Sequence, residues 1–481
     1  MAARFLEVRY MYKEQIEAYW NDGAHQREMI DAIGRLVAVK SVREDPAPNA
    51  PYGPGPAAAL DEALKLCEEM GFATRDYDRQ VGLCDMPGTE DIRLHILGHL
   101  DVVGEGKGWD TEPYVMAEKD GMLYGRGVSD DKGPLCCALF AMKAVRDMGV
   151  PLTGGVRLIM GTDEESGSGD VEYYYAREPY APYAFTPDAD FPVINIEKGH
   201  YHPDFGKTWA KSDALPRVSA LEGGFRTNVV PPEAWAVILG MDMAAVEAAC
   251  AGAASKTGAK FTVTEECGGV KVLCAGKNAH AASPDDGNNA ISALLTLLAA
   301  LPLAACGSTE AVQALHTLFP HGDNRGKALG IAQEDAESGP LTLNLALMTL
   351  TEEGFTAKFD VRFPICATNE NCKKACEASF AKYGIAVTQD PDMTTIHHVP
   401  ADSPLVKTLL SCYSDYTGIQ YPKPIAIVGG TYVHDIPGGV AFGCDFPGFD
   451  PKMHGANEQA SVENLILSCK IFTQAIIELC K

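Results

Sequence analysis

Two short apolar runs in the first third of the chain end abruptly in ionisable residues, and this restricts the fold more than any other feature. Ile92, Leu94 and Ile96 alternate into a strand that stops at Leu97-Gly98 and delivers His99-Leu100-Asp101. Residues 156–160 form a second compact apolar strand that runs straight into Gly161-Thr162-Asp163-Glu164-Glu165-Ser166-Gly167. Between them Pro134 sits where a helix should begin, and Leu135, Ala138, Leu139, Met142, Val145 and Met148 keep helical spacing up to Gly149. Residues 191–196 give a further strand after Thr186-Pro187-Asp188-Ala189-Asp190. Strands alternating with a helix, with chemistry where strands end, predict an open α/β sheet.

The 481 residues allow two domains, or one domain carrying a large insertion. Residues 14–41 and 57–70 have helical apolar spacing around a proline-rich loop, SVREDPAPNAPYGPGP. From about residue 205 the pattern changes to strand-like runs alternating with helices, one of them over about 288–301. Residues 341–348 and 355–363 flank Glu352-Glu353-Gly354, a hairpin signal. Near residue 395 the first pattern returns, with a helix over 405–416, an apolar strand at 425–428, Gly429-Gly430-Thr431 and a last helix over about 462–479. That return predicts one α/β domain interrupted by another.

Acidic residues outnumber basic ones 65 to 40, a formal net charge of -25, which argues against a nucleic acid or an anionic membrane surface as partner. The first twenty residues lack the apolar core of a signal peptide, and the longest apolar run, 290–306, is too short and too interrupted to span a bilayer. The 15 cysteines show no paired spacing and no CxxC, so they are expected to be reduced thiols of a cytoplasmic protein. Any metal should then be held by His, Asp and Glu.

His99 and Asp101 stand two apart on extended backbone, so both side chains leave the same face: one could ligate a metal while the other orients it. Alone, the pair reads rather as a structural histidine at a strand end. Asp130 and Asp131 follow a glycine-rich turn, where adjacent carboxylates need a cation or a basic group nearby unless the turn is simply solvated. Glu164 and Glu165 could divide the work of proton shuttle and ligand. With Asp188 and with His454 in His454-Gly455-Ala456-Asn457-Glu458, the set offers the oxygen and nitrogen ligands of a dinuclear zinc, manganese or cobalt centre.

The segments His99-x-Asp101, Gly125-Arg126-Gly127-x-x-Asp130-Asp131-Lys132-Gly133, Asp163-Glu164-Glu165, Pro187-Asp188 and the late His454 occur in that order. In this the chain resembles the dinuclear metallopeptidase family that contains aminoacylases, glutamate carboxypeptidases, carnosinases and the PepV-type dipeptidases. The resemblance implies two divalent metals, zinc first and manganese or cobalt as alternatives. Asp130 would bridge them, His99 and Asp188 would complete one site, and Glu165 and His454 the other. It further implies that Asp101 orients His99, that Glu164 is the general base acting on a metal-bridging water, and that the Asp130–Asp131 peptide is cis.

Gly276-Lys277-Asn278-Ala279-His280-Ala281 is similar to the lid motif whose histidine, here His280, stabilises the oxyanion. Asn228 and Arg362 resemble lid residues that bind the substrate carboxylate, and Gly430 and Thr431 a PepV-type loop that binds the same end. Val433-His434 departs from the pattern, since PepV-type enzymes usually place an arginine there. The resemblance thus implies a catalytic three-layer α/β/α domain with a mixed, mostly parallel sheet (residues 1–204 and 394–481), interrupted by an α+β lid domain (205–393). It implies a dipeptidase acting on small peptides with a free N-terminus, monomeric because the enlarged lid replaces a dimer partner. The alternatives are another amidohydrolase of the family (an aminoacylase, an N-acyl-amino-acid deacylase or a tripeptidase) and, least favoured, a non-catalytic metal-binding protein.

Overall fold

The computed structural model describes residues 2–266 and 268–481, so Cys267 lies outside it. The chain forms two compact units: residues up to Glu197 together with His397–Lys481, and Lys198–Ile396.

The discontinuous unit is built on one sheet in the order Ala73–Tyr77, Val81–Met86, Gly155–Gly161, Ile92–His99, Tyr183–Thr186, Val440–Ala441, Ile194–Glu197, His397–His398, with Ile425–Ile427 also paired to Ile194–Glu197. Ile92–His99 runs parallel to both of its neighbours, while the strands at each edge pair antiparallel. The sheet is therefore mixed, with a parallel centre.

Its central strands are covered on both faces, which is why residues 94–97 lose strict polar alternation. Leu94, Ile96, Val156 and Leu158 point into a core shared with helices Gly23–Val37, Pro54–Glu69, Lys132–Asp147, Pro404–Thr417 and Val462–Cys480. Leu97, Leu83 and Ile159 point the other way, onto Val171 and Tyr174 of helix Gly169–Tyr175 and onto Tyr432 and Val433. Helices on both faces make three layers. A small second sheet, Ala117–Lys119, Met122–Tyr124 and Gln459–Ser461, brings the late part of the chain beside the turn before Asp130.

The 14–41 spacing belongs to two helices, Ala2–Trp20 and Gly23–Val37, because Asp22 interrupts it and its side chain accepts a hydrogen bond from the Ala24 N–H (2.9 Å). Gly98 is required by close approach: a Cβ there would lie 2.7 Å from Asp131 Oδ2 and 3.1 Å from Leu135 Cβ.

The unit Lys198–Ile396 has an antiparallel sheet in the order Lys260–Glu266, Gly269–Ala275, Glu233–Leu239, Arg217–Gly223, Thr342–Leu350, Gly354–Phe363, Asp204–Thr208, Ala386–Gln389, with Gly199–Tyr201 on Gly354–Phe363. Helices Met243–Thr257, Ala290–Ala299, Gly307–Leu318 and Lys374–Ala381 cover it, and its apolar core is its own. Among the described residues no helix is long and apolar enough to cross a membrane, and the described cysteines are free thiols, buried except for Cys306 and Cys366.

Candidate metal centre

Register sets the site. His99 is the partner of Gly161 across the parallel pair, so the Asp163-Glu164-Glu165 segment begins where His99 ends. The next strand, Tyr183–Thr186, stops two residues short of Asp188. Three neighbouring parallel strands thus present their carboxyl ends together, the usual place for a site in an open α/β sheet. Asp130 arrives from the turn before helix Lys132–Asp147, through a cis Asp130–Asp131 peptide, and His454 from the loop before Gln459–Ser461.

Five of the residues singled out above meet here as two groups that share Asp130. His99, Asp130 and Asp188 offer ligand atoms within 4.8 Å of one another, and so do Asp130, Glu165 and His454. His99 Nε2 lies 3.0 Å from Asp130 Oδ1 and 3.6 Å from Asp188 Oδ2. His454 Nε2 lies 2.8 Å from Asp130 Oδ2 and 3.4 Å from Glu165 Oε1. Glu164 belongs to neither group.

The tautomer of His99 follows from its other nitrogen. Nδ1 is 2.9 Å from the Asp101 carbonyl oxygen, which can only accept, so Nδ1 carries a proton and Nε2 is the nitrogen directed at the carboxylates. The Asp101 carboxylate is 3.5 Å from Nδ1 and accepts from the backbone N–H groups of Glu164 and Glu165, both at 3.1 Å. It thereby ties the His99 strand to the acidic segment. Asp131 Oδ2 accepts from the His99 N–H at 2.9 Å.

So many carboxylates strain the charge balance. Burial, then the charges of Asp188 and Asp130, raise the Glu164 carboxyl well above its usual value, and burial raises Glu165 and Asp188 as well. The hydrogen bond to Asp130, then the neighbouring Glu165 carboxylate, push His454 up to about 10. Burial disfavours a cationic His99, but Asp101, Asp130 and Asp188 outweigh it and raise the imidazole. The histidines are being asked to act as cations. Divalent cations would satisfy the same carboxylates and free both imidazoles to ligate, and Glu165 Oε1, which is buried without a hydrogen-bond partner, fits a ligand atom.

The loop Gly429-Gly430-Thr431 is held from beneath. The buried carboxylate of Glu197 accepts from Thr431 N (3.2 Å) and Thr431 Oγ1 (2.8 Å) at Oε1, and Nδ1 of His434 lies 2.9 Å from Oε2. His434 therefore turns inward onto Glu197. Tyr432 donates to Asp170 Oδ2 (2.6 Å), which also accepts from the N–H groups of Thr162 and Asp163 (2.5 and 3.0 Å), so the loop is coupled to the acidic segment. Sequence reasoning missed Glu197 and Asp170. Glu197 closes an apolar run, but Asp170 follows glycines and serines and precedes Val171-Glu172, so its sequence context does not set it apart.

Within Lys198–Ile396 the structure brings Asn228 beside His280. The Ala281 N–H donates to the Asn228 carbonyl (2.9 Å), and Val229 forms an isolated bridge with His280. Arg362 is gripped by Asp360, Nε to Oδ1 at 2.8 Å and Nη2 to Oδ2 at 3.1 Å, with His202 Nε2 3.1 Å from Oδ1. Burial opposes ionisation of Asp360, but His202 and Arg362 hold its carboxyl below the usual range.

Comparison with known sequences decides the family, because the profile of Peptidase family M20/M25/M40 matches residues 95–478. The chain belongs to this family. Beta-Ala-Xaa dipeptidase of Lactobacillus delbrueckii subsp. lactis is similar, 31% identical over 471 residues that cover 95% of this chain and 97% of that protein. YtjP of Bacillus subtilis, whose name carries dipeptidase as a provisional assignment, is 34% identical over 461 residues, 95% of this chain and 98% of its own length. Human carnosine dipeptidase 1 shares the M20 fold at a TM-score of 0.54 and 17% identity, over 97% of this chain and 98% of that one. The family the motifs resembled is the one to which the chain belongs, and the protein is accordingly a peptidase-family hydrolase.

Proposed function

We propose that this M20 protein is a metal-dependent dipeptidase that hydrolyses the single peptide bond of dipeptides with a free N-terminus. The observation that carries the reading is the pair of three-donor groups sharing Asp130, and similarity to Beta-Ala-Xaa dipeptidase along nearly the whole chain supports the substrate class.

In this reading His99, Asp130 and Asp188 hold one divalent cation, and Asp130, Glu165 and His454 the other. When bound, the pair would supply Lewis acidity and make water acidic enough to act as a nucleophile at neutral pH. The donor set suits zinc first, with manganese or cobalt as alternatives. Asp101 keeps His99 in the tautomer that leaves Nε2 free. Glu164, whose carboxyl is made less acidic by burial, accepts the proton of the attacking water and returns it to the leaving amine as the C–N bond breaks.

His280 is assigned to the oxyanion, and Asn228 and Arg362 to the substrate carboxylate, on the similarity of their motifs. Gly430 and Thr431, held by Glu197, are assigned to the same end. The free buried thiols support a cytoplasmic setting, and the chain is proposed to act as a monomer with residues 205–393 in the role of a lid.

The test is a substrate panel on chelated and zinc-, manganese- or cobalt-reloaded protein. Dipeptide hydrolysis should vanish on chelation and return with two ions per chain. Faster turnover of tripeptides or N-acyl amino acids would overturn the dipeptidase reading in favour of another amidohydrolase.

A further inference from the structure

Glu458 and Arg126 lie beside the metal centre, outside both ligand groups, and are almost wholly buried, at 0% and 1% exposure. Glu458 Oε2 accepts from Arg126 Nη1 at 2.6 Å. Its other oxygen, Oε1, accepts from three backbone N–H groups of the turn that ends in the shared carboxylate: Gly127 (3.0 Å), Ser129 (3.0 Å) and Asp130 itself (3.2 Å). Arg126 in turn donates from Nη2 to the carbonyl of Gly455 at 3.0 Å, the residue after His454, and its guanidinium lies 5.3 Å from the Trp109 ring centroid.

One buried carboxylate thus grips the Asp130 turn with one oxygen and, through Arg126, the His454 loop with the other. His454 and Asn457 in that loop both adopt left-handed backbone (φ 61° and 60°), uncommon outside glycine, so the direction of the His454 side chain depends on the loop keeping this conformation.

We propose that Glu458 is a positioning residue that, with Arg126, fixes the separation between Asp130 and His454 and so sets the affinity of the site they form with Glu165. The proposal rests on the dinuclear reading above. A buried ion pair kept for stability alone would need only the Arg126 contact. Three amides of one turn converging on the second oxygen are what a device for holding Asp130 requires. A carboxylate is needed because every partner is a donor, and the amide of a glutamine would set N–H against N–H on one side or the other.

The experiment uses full-length protein, zinc as the probe and competition with a chromophoric chelator as readout, alongside the unfolding midpoint of the metal-free form. Glu458→Gln should weaken the zinc ion of the Asp130, Glu165 and His454 site roughly 10–100-fold, the range for partners that orient ligands, and the other ion, which shares Asp130, by a smaller factor. Arg126→Lys keeps Glu458 and its three amide bonds but loses the fork to Gly455, and should weaken the same ion by a smaller factor. Wild-type zinc affinity in Glu458→Gln with a lowered midpoint would make the pair merely structural and overturn the proposal. If Glu458→Gln does not fold, wild-type affinity in Arg126→Lys overturns it instead. Wild-type protein that binds fewer than two zinc ions sinks the dinuclear reading itself, whereas two ions in the wild type with unaltered binding in the variants sinks only the positioning role.

Discussion

Glu164 and Glu165 are adjacent and chemically identical, yet the short helical turn Glu164–Ser166 that carries them sends them to different work. Glu165 joins Asp130 and His454, while Glu164 stays outside both ligand groups with its proton affinity raised by burial. Glu164→Gln should therefore fold, hold two zinc ions by elemental analysis and lose roughly 10²–10⁴ of its turnover, the range for a general base. Wild-type turnover in that variant would refute the assignment. A second residue sets the acid side of stability. His95 is buried against Tyr175, whose hydroxyl lies 2.9 Å from Nδ1, and burial lowers its pKa to about 4. The unfolded chain, at about 6.5, takes up the proton first, so this contribution is intact above pH 6.5 and is lost as pH falls toward 4. Between pH 7 and pH 5 the loss is about 2 kcal/mol. His95→Asn keeps an acceptor for Tyr175, and denaturant titrations at the two pH values should show a correspondingly smaller drop than in the wild type. At this scale the sequence was most legible where a strand ends, because the exit residue's direction is fixed locally, as for His99 and Glu165. Glu458 and Arg126 carried no such signal, and Glu197, although it ends a strand, holds a loop far along the chain. Arg126 and Glu458 are 332 residues apart, and Thr431 and Glu197 are 234 apart, so only the folded chain shows what they hold.

Elements position the site by how closely they approach. The strand Ile92–His99 and the helix Lys132–Asp147 touch at Gly98, where Asp131 Oδ2 also receives the His99 N–H. A methyl group added at Gly98 has to push Asp131 and Leu135 away, and Asp130, next to Asp131 in the chain, moves with them. Gly98→Ala is thus expected to cost on the order of 100-fold in kcat/KM, since ångström displacements of reacting groups cost that much. Gly23→Ala, with nothing within 4 Å of the added methyl group and no left-handed backbone, is the control for a glycine without such a neighbour. Equal activities in the two variants would refute the close-approach argument. The central helix could be read from its spacing because its apolar residues recur regularly. The boundary at Asp22 was hidden because apolar spacing runs on across it and only the cap marks the break. The antiparallel edges of the sheet were equally hidden, as a buried strand reads the same in either direction.

At the scale of the whole chain, apolar burial follows the discontinuity. One set of core clusters lies wholly within the unit that begins and ends the chain, and another wholly within Lys198–Ile396. The inserted segment leaves and returns at one place, because His397 is the strand partner of Glu197. Antiparallel neighbours can be joined by a two-residue turn, so residues 1–197 linked through Asn-Gly to 397–481 should close the gap without stretching either strand. The excised unit retains every candidate ligand: His99, Asp130, Glu165, Asp188 and His454. It is expected to unfold cooperatively and to bind two zinc ions in the chelator competition, while the roles proposed for His280, Asn228 and Arg362 predict a fall in dipeptide turnover below a hundredth of the wild type. Dipeptidase activity near the wild-type level would show that the inserted residues take no part in the reaction, and a folded unit that binds no zinc would place part of the metal site outside the five ligands named.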